Sequence, residues 1–255
     1  MYGLTKKVVN ELQRLKENHH IEGLKAEFEA EGASFRDLVR LRYLTALAGV
    51  NLYVKIGGVE ALRDIKDCFE LGVDGLIAPM VESKFGIKKF TDSVKKIFKN
   101  ENIYLSINLE TRNAVEEMDE IIEYSKGRIN NITIGRTDLS ASFFDENITP
   151  DSWVINNVIT KVGEKINQTG ITLTIGGGLG ISSIETFRAK PHLHKYIHRL
   201  ETRKVILPKI EALKGPEAIR DSLKFEELHI LLKKEVSDLM IETDIHRLTE
   251  LIRRF

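Results

Sequence analysis

Charged side chains stand at the ends of apolar runs along this chain. Glu27, Glu29 and Glu31 close "IEGLKAEFEAEG", Lys55 closes "NLYVKI", and Glu82 follows "DGLIAPM". Glu110 and Arg112 follow "IYLSINL", Arg136 and Asp138 follow "INNITIG", and Glu201 and Arg203 follow "YIHRL". The tetrapeptide Leu-Glu-Thr-Arg occurs twice, at 109–112 and 200–203. Carboxylates gathered in one cleft repel unless a cation joins them, and oxygen donors with open positions suit Mg²⁺ or Mn²⁺. A lysine at such an end can stabilise an oxyanion, bind a carboxylate or serve as a Schiff-base nucleophile. Gly176, Gly177 and Gly178 form a run that either cradles an anion with backbone N–H groups or simply turns the chain.

These residues need elements that bring them together. Short apolar stretches alternate with amphipathic ones. Strand-like segments fall at 21–30, 51–56, 74–80, 102–110, 129–135 and 171–177, and 196–207 reads as a strand and turn. Helical segments fall at 34–49, 58–72, 83–100, 113–127, 150–170 and 182–190, the first capped by Ser34 and closed by Gly49. Alternation of this kind implies a parallel sheet with helical crossovers. An open doubly wound sheet is the rival. Length, strand count and the lack of an early G-x-G-x-x-G favour an α/β (β/α)8 TIM barrel, read as one domain over 1–255. In such a barrel these strand ends share one mouth. Residues 216–255 show apolar residues at three- and four-residue spacing and are too long for one barrel helix. They read as a helical extension for homo-oligomerisation.

Composition narrows the partners. Lys+Arg and Asp+Glu both number 38, so no general nucleic-acid or acidic-membrane surface is expected. The first twenty residues carry charges throughout, unlike a signal peptide, and no apolar run reaches membrane-spanning length. Cys68 is the single cysteine and reads as a buried apolar residue. Together these point to a cytoplasmic protein. His192, His194 and His198 read as a solvated loop rather than a zinc site, and Trp153 as core or interface.

Three stretches carry a family resemblance: "GVDGLIAPMVES" (72–83), "INLETRNAVEEMDEII" (107–122) and "ITIGRTDLSASF" (132–143). In this order they resemble the HpcH/HpaI aldolase/citrate lyase family, over roughly residues 21–143. The resemblance implies a barrel of the pyruvate/phosphoenolpyruvate superfamily, with a divalent metal, Mg²⁺ or Mn²⁺, held by Glu110 and Asp138. It implies that the metal chelates a 2-oxo acid and stabilises an enolate. Two positions depart from the family. Its Asp-x-Glu-His motif on the first strand has no histidine here; the simplest alignment sets Glu27 and Glu29 at the acidic positions and Ala30 at the histidine. Its second-strand arginine appears as Lys55, a point charge instead of a fork.

The expected activity is a metal-dependent carbon–carbon lyase or aldolase acting on a pyruvate- or oxaloacetate-like 2-oxo acid. Lys55, Glu27 and Glu29 are the expected catalytic groups. Both glutamates alternate along one strand and are expected to face the barrel interior. Arg112, Arg136, Gly176, Gly177, Gly178, Glu201 and Arg203 are expected to bind substrate. A helix N-terminal acid is the ordinary alternative for Glu110 and Asp138. A metal-free class I aldolase using Lys55, or a non-catalytic binding barrel, is the alternative for the whole.

Overall fold

A computed structural model describes residues 3–253 apart from Asn100 and Lys214. The ends of the 1–255 span and of the 216–255 extension, and the last residue of the helix expected at 83–100, lie outside the described residues. Among the described residues eight strands close into one barrel in sequential order. They are β1 (Gly23–Glu27), β2 (Leu52–Lys55), β3 (Gly75–Ala78), β4 (Tyr104–Leu109), β5 (Asn131–Gly135), β6 (Thr172–Gly176), β7 (Arg199–Glu201) and β8 (Val205–Pro208).

The helices follow as expected for crossovers: α2 (Phe35–Ala48), α3 (Leu62–Leu71), α4 (Lys84–Phe98), α5 (Arg112–Glu116), α6 (Met118–Ser125), α7 (Arg136–Ala141), α8 (Trp153–Ile166), α9 (Ile181–Ala189) and α10 (Pro191–His194). A further helix, α1 (Gly3–His19), precedes β1, where sequence analysis assigns no element. Helix α2 shows why the local reading works. Ser34 accepts from the Asp37 N–H and Asp37 answers with its side chain, while Gly49 takes the left-handed conformation that closes the helix.

The barrel closes differently from a regular (β/α)8. Strands β1 to β7 run parallel, but β8 pairs antiparallel with both β7 and β1. Only residues 202–204 join β7 to β8. A parallel return needs a crossover of a dozen or more residues, whereas three allow a hairpin. Thr202 locks that turn, its N–H donating to the Val205 carbonyl and its hydroxyl accepting from the Val205 N–H. The stretch 196–207 is therefore two strands.

The main core lies between strands and helices, with Leu24, Leu52, Leu76, Ile107, Ile132, Leu173 and Leu207 fully buried against it. The barrel interior is different. A small apolar plug of Tyr53, Ile77 and Ile206 fills it, beside a polar layer centred on Asn131. The Asn131 amide donates to Ser106 at 2.8 Å and Thr133 at 3.0 Å, and its oxygen accepts from Thr172 at 2.8 Å and Thr174 at 2.9 Å. All four hydrogen-bonding capacities of that amide are met, so its burial is compensated.

The C-terminal segment forms one helix, α11 (Glu217–Ile252). Near its start Asp221 accepts from Arg14 and pairs with His19 of α1. The helix climbs to the mouth, where Lys233 pairs with Asp37 of α2. Ala218, Ile219, Ser222 and Phe225 are fully buried, whereas Leu239, Met240, Ile241, Ile245, Leu248 and Ile252 are exposed. No helix among the described residues is long and apolar enough to cross a membrane.

Candidate active site at the barrel mouth

Alternation along β1 turns Lys25 and Glu27 inward, and β2 sets Lys55 beside Glu27 in register. Glu201 ends β7 on the same interior. These four side chains form one chain of charge: Glu201 to Lys25 at 2.9 Å, Lys25 to Glu27 at 3.1 Å, Glu27 to Lys55 at 2.9 Å. Burial disfavours the Lys25 charge, yet the Glu201 and Glu27 carboxylates hold its ammonium well above the usual lysine range. Burial likewise disfavours the Glu27 charge, and Lys25 and Lys55 outweigh it to hold that carboxyl below the usual range.

Glu110 stands apart from this chain. It is 2% exposed, and no cation lies within ion-pair distance of it among the described residues. Burial raises its carboxyl above the usual range, and Asp138 adds to that. The Met80 N–H (3.0 Å, to Oε1), Lys55 and the Asn108 amide (3.0 Å, to Oε2) offset it only in part. The side-chain amide oxygen of Asn108, Oδ1, is buried with no hydrogen-bond partner among the described residues. Gly135 faces Glu110 because a Cβ there would lie 2.4 Å from Oε2.

Lys25, Glu27, Lys55, Asn108, Glu110, Thr137, Asp138, Gly177, Gly178, Glu201 and Arg203 all line one cavity of about 430 Å³, walled on one side by Leu223 and Glu226 of α11. The cavity holds five carboxylates against three cations. Among the described residues no three His, Cys, Asp or Glu side chains cluster closely enough to enclose a metal alone. Two carboxylates, Glu110 and Asp138, beside an orphaned amide oxygen fit an ion such as Mg²⁺, which keeps several waters and takes one or two carboxylates plus substrate oxygens.

Several expected site residues lie elsewhere. Strand β1 ends at Glu27, so alternation stops and Glu29 is exposed in the following turn, beside Gly57. Arg136 is fully buried outside the cavity. It pairs with Asp151, donates to the Gly176 carbonyl at 3.2 Å and lies over Phe187, so it braces β5 against the glycine loop. Gly176 does not line the cavity; its lack of a side chain makes room for Glu201, whose Oε1 would lie 2.6 Å from a Cβ. Arg112 is 59% exposed and pairs with Glu116 at 2.9 Å, in a neighbouring groove. Glu31 pairs with the buried Lys204, and Trp153 is 76% exposed, which removes its core reading. His194 pairs with Glu211 and His198 accepts from the Leu173 N–H, so the histidines are separate.

Sequence reasoning missed Lys25 and Asn108. The signal for Lys25 was available: it precedes Glu27 by two residues on one strand and must share its face. The inward pair on β1 is therefore Lys25 and Glu27.

A closed barrel with convergent charges at its parallel strand ends has the design of a barrel enzyme. More particularly, residues 33–170 match the family model for HpcH/HpaI aldolase/citrate lyase, and the chain belongs to that family. Solved structures agree at the level of fold. An HpcH/HpaI aldolase from Desulfitobacterium hafniense is 17% identical, with TM-score 0.59 and coverage of 76% of this chain and 82% of that one. The citrate synthase SbnG is 16% identical, with TM-score 0.56 and coverage of 71% and 78%. A family protein from Burkholderia cenocepacia is 13% identical, with TM-score 0.56 and coverage of 71% and 80%. The chain has no significant sequence match among functionally curated proteins.

Proposed function

We propose that this protein is a divalent-metal-dependent carbon–carbon lyase or aldolase acting on a 2-oxo acid of pyruvate or oxaloacetate type. The observation that carries the reading is Glu110, a buried carboxylate with no ion-pair partner among the described residues, which follows β4 and lines one cavity with Asp138, in the first turn of the helix after β5. Glu110 and Asp138 would hold Mg²⁺ or Mn²⁺, which when bound supplies Lewis acidity toward the keto oxygen.

The chain's own residues do the rest. Lys55 projects its ammonium into the cavity and stabilises negative charge that develops on the substrate. Glu27 orients Lys55 and is the inward carboxylate of β1 available to accept or return a proton. Lys25, itself held by Glu201, keeps Glu27 in place. Arg203, exposed at the rim, and the backbone of Gly177 and Gly178 meet the substrate carboxylate. The Lys55–Glu27 ion pair favours this electrostatic role for Lys55 over a Schiff base. Borohydride reduction in the presence of pyruvate that left an adduct on Lys55 would reverse that assignment.

The test is calorimetry of Mg²⁺ binding with pyruvate present. Binding is expected for the native chain and loss of it for Glu110→Gln. Metal binding and turnover that survive that substitution would overturn the reading. The exposed Ile241, Ile245, Leu248 and Ile252, spaced four, three and four along α11, support homo-oligomerisation through this helix.

A further inference from the structure

The mouth cavity has a larger neighbour. A groove of about 730 Å³ runs beside it, and Asp138 lines both. We propose that this groove is a second subsite, shaped for the uncharged, apolar body of the carbonyl compound that a 2-oxo acid is joined to or split from; its role as acceptor subsite rests on the function proposed above.

Two apolar side chains frame the groove in unusual backbone. Met80 is 56% exposed with φ 51°, and Phe144 is 97% exposed with φ 54°. Left-handed backbone in such residues is uncommon and concentrates at ligand sites. For Met80 the turn has a visible result: its N–H is aimed at Glu110 and its side chain lies in the groove. For Phe144 the N–H donates to Ala141 at 3.0 Å, ending α7 and leaving the ring over the groove. Single exposed apolar residues are ordinary, but two facing one groove beside the candidate metal carboxylates are not scattered.

The polar lining sets the ligand's charge. Arg112 is engaged by Glu116 at 2.9 Å, and Glu82 accepts from Thr111 at 2.7 Å. Three carboxylates, Glu82, Glu116 and Asp138, therefore face one guanidinium that is already paired. An acidic acceptor meets repulsion there, and a neutral one does not. In the addition direction a C3 proton leaves the 2-oxo acid and C3 bonds to the aldehyde carbon. The aldehyde C=O becomes C–O and its oxygen takes a proton, with no net redox change.

The experiment uses the full chain with Mg²⁺ and separates the two halves of the reaction. Exchange of pyruvate C3 protons in D₂O, followed by NMR, reports the mouth alone. Addition of pyruvate to butanal or to glyoxylate reports the acceptor subsite. Butanal should be preferred by about tenfold or more. Ala141 is exposed on the groove wall, so Ala141→Trp fills the groove and should cut butanal addition by about tenfold or more and leave exchange unchanged. Phe144→Ala, at a side chain with no packing to lose, should lower it severalfold.

Saturation-transfer NMR with benzyl alcohol and benzoate tests the groove without any turnover. Benzyl alcohol should bind, benzoate should not, and Ala141→Trp should abolish the signal. Glyoxylate used as well as butanal, or variants with unaltered addition and binding, would overturn the proposal. So would a benzyl alcohol signal seen only when Ile241→Glu and Ile245→Glu break the assembly, because the groove would then be covered by a second copy. Absent pyruvate exchange with selective benzyl alcohol binding would overturn the proposed reaction and retain the neutral subsite.

Discussion

Glu110 and Glu201 share the same Leu-Glu-Thr-Arg setting yet differ in partner, and partner decides what each substitution does. Glu110 has no ion-pair partner among the described residues, so Glu110→Gln removes a charge that burial already penalises. Loss of Mg²⁺ binding is expected together with unchanged or raised thermal stability, read by calorimetry and melting. Glu201 neutralises Lys25, itself only 7% exposed. Glu201→Leu leaves that ammonium with Glu27 alone, already shared with Lys55, and should cost about 3 kcal/mol in urea unfolding. Lys25→Met combined with Glu201→Leu removes both charges and should recover most of that loss, because Glu27 keeps Lys55. A double variant as unstable as the worse single one would show that packing, not charge, holds the site.

At the scale of elements, the loop after β6 and the last helix make separate contributions. Gly177 has φ 76°, and a Cβ there would lie 2.5 Å from the Thr137 backbone nitrogen. Gly177→Ala should destabilise by about 2 kcal/mol and displace Thr137 and Asp138, weakening Mg²⁺ binding as well. Helix α11 divides into a packed half and an exposed half. Ile241→Glu with Ile245→Glu touches only the exposed half. Light scattering should then give 29.0 kDa for the variant and a multiple of that for the native chain, with the melting of the barrel itself retained. A native chain that is monomeric would refute the assembly. The β7–β8 hairpin was hidden from periodicity because each strand is so short.

For the whole molecule the acid limit of stability has an identifiable source. His229 of α11 stacks on Phe225 with ring centroids 6.2 Å apart. Burial pushes its imidazole down to about 4, and Lys204 and Lys233 add to the shift against a small opposing effect of Asp37. The unfolded chain protonates this histidine below its ordinary value of 6.5 while the fold keeps it neutral. Its contribution is therefore full above that value and is lost as pH falls toward 4. His229→Gln should flatten the decline of the urea midpoint between pH 6.5 and 4, whereas an unchanged slope would place the source among the carboxylates.

Local patterns in the chain carried much of this. Alternation of short apolar runs with amphipathic ones implied a parallel sheet with helical crossovers, caps marked α2, and three motif stretches pointed to the family, because each depends on neighbours within a few residues. Length, strand count and the lack of an early G-x-G-x-x-G then favoured a barrel over an open sheet. Glu110, Asp138, Lys55, Glu27, Glu201 and Arg203 were legible as mouth residues from their place at strand ends. Other features depend on where strands stop and what lies across the barrel. The register that sets Glu27 against Lys55, the capture of Lys25 by Glu201, the burial of Arg136 and the exposure of Glu29 are of this kind. So is the reversed eighth strand. Side-chain direction in a strand flips with each residue, and burial is set by partners distant in sequence. Composition and spacing therefore determined which charges could act, and only the closed barrel decided which of them meet.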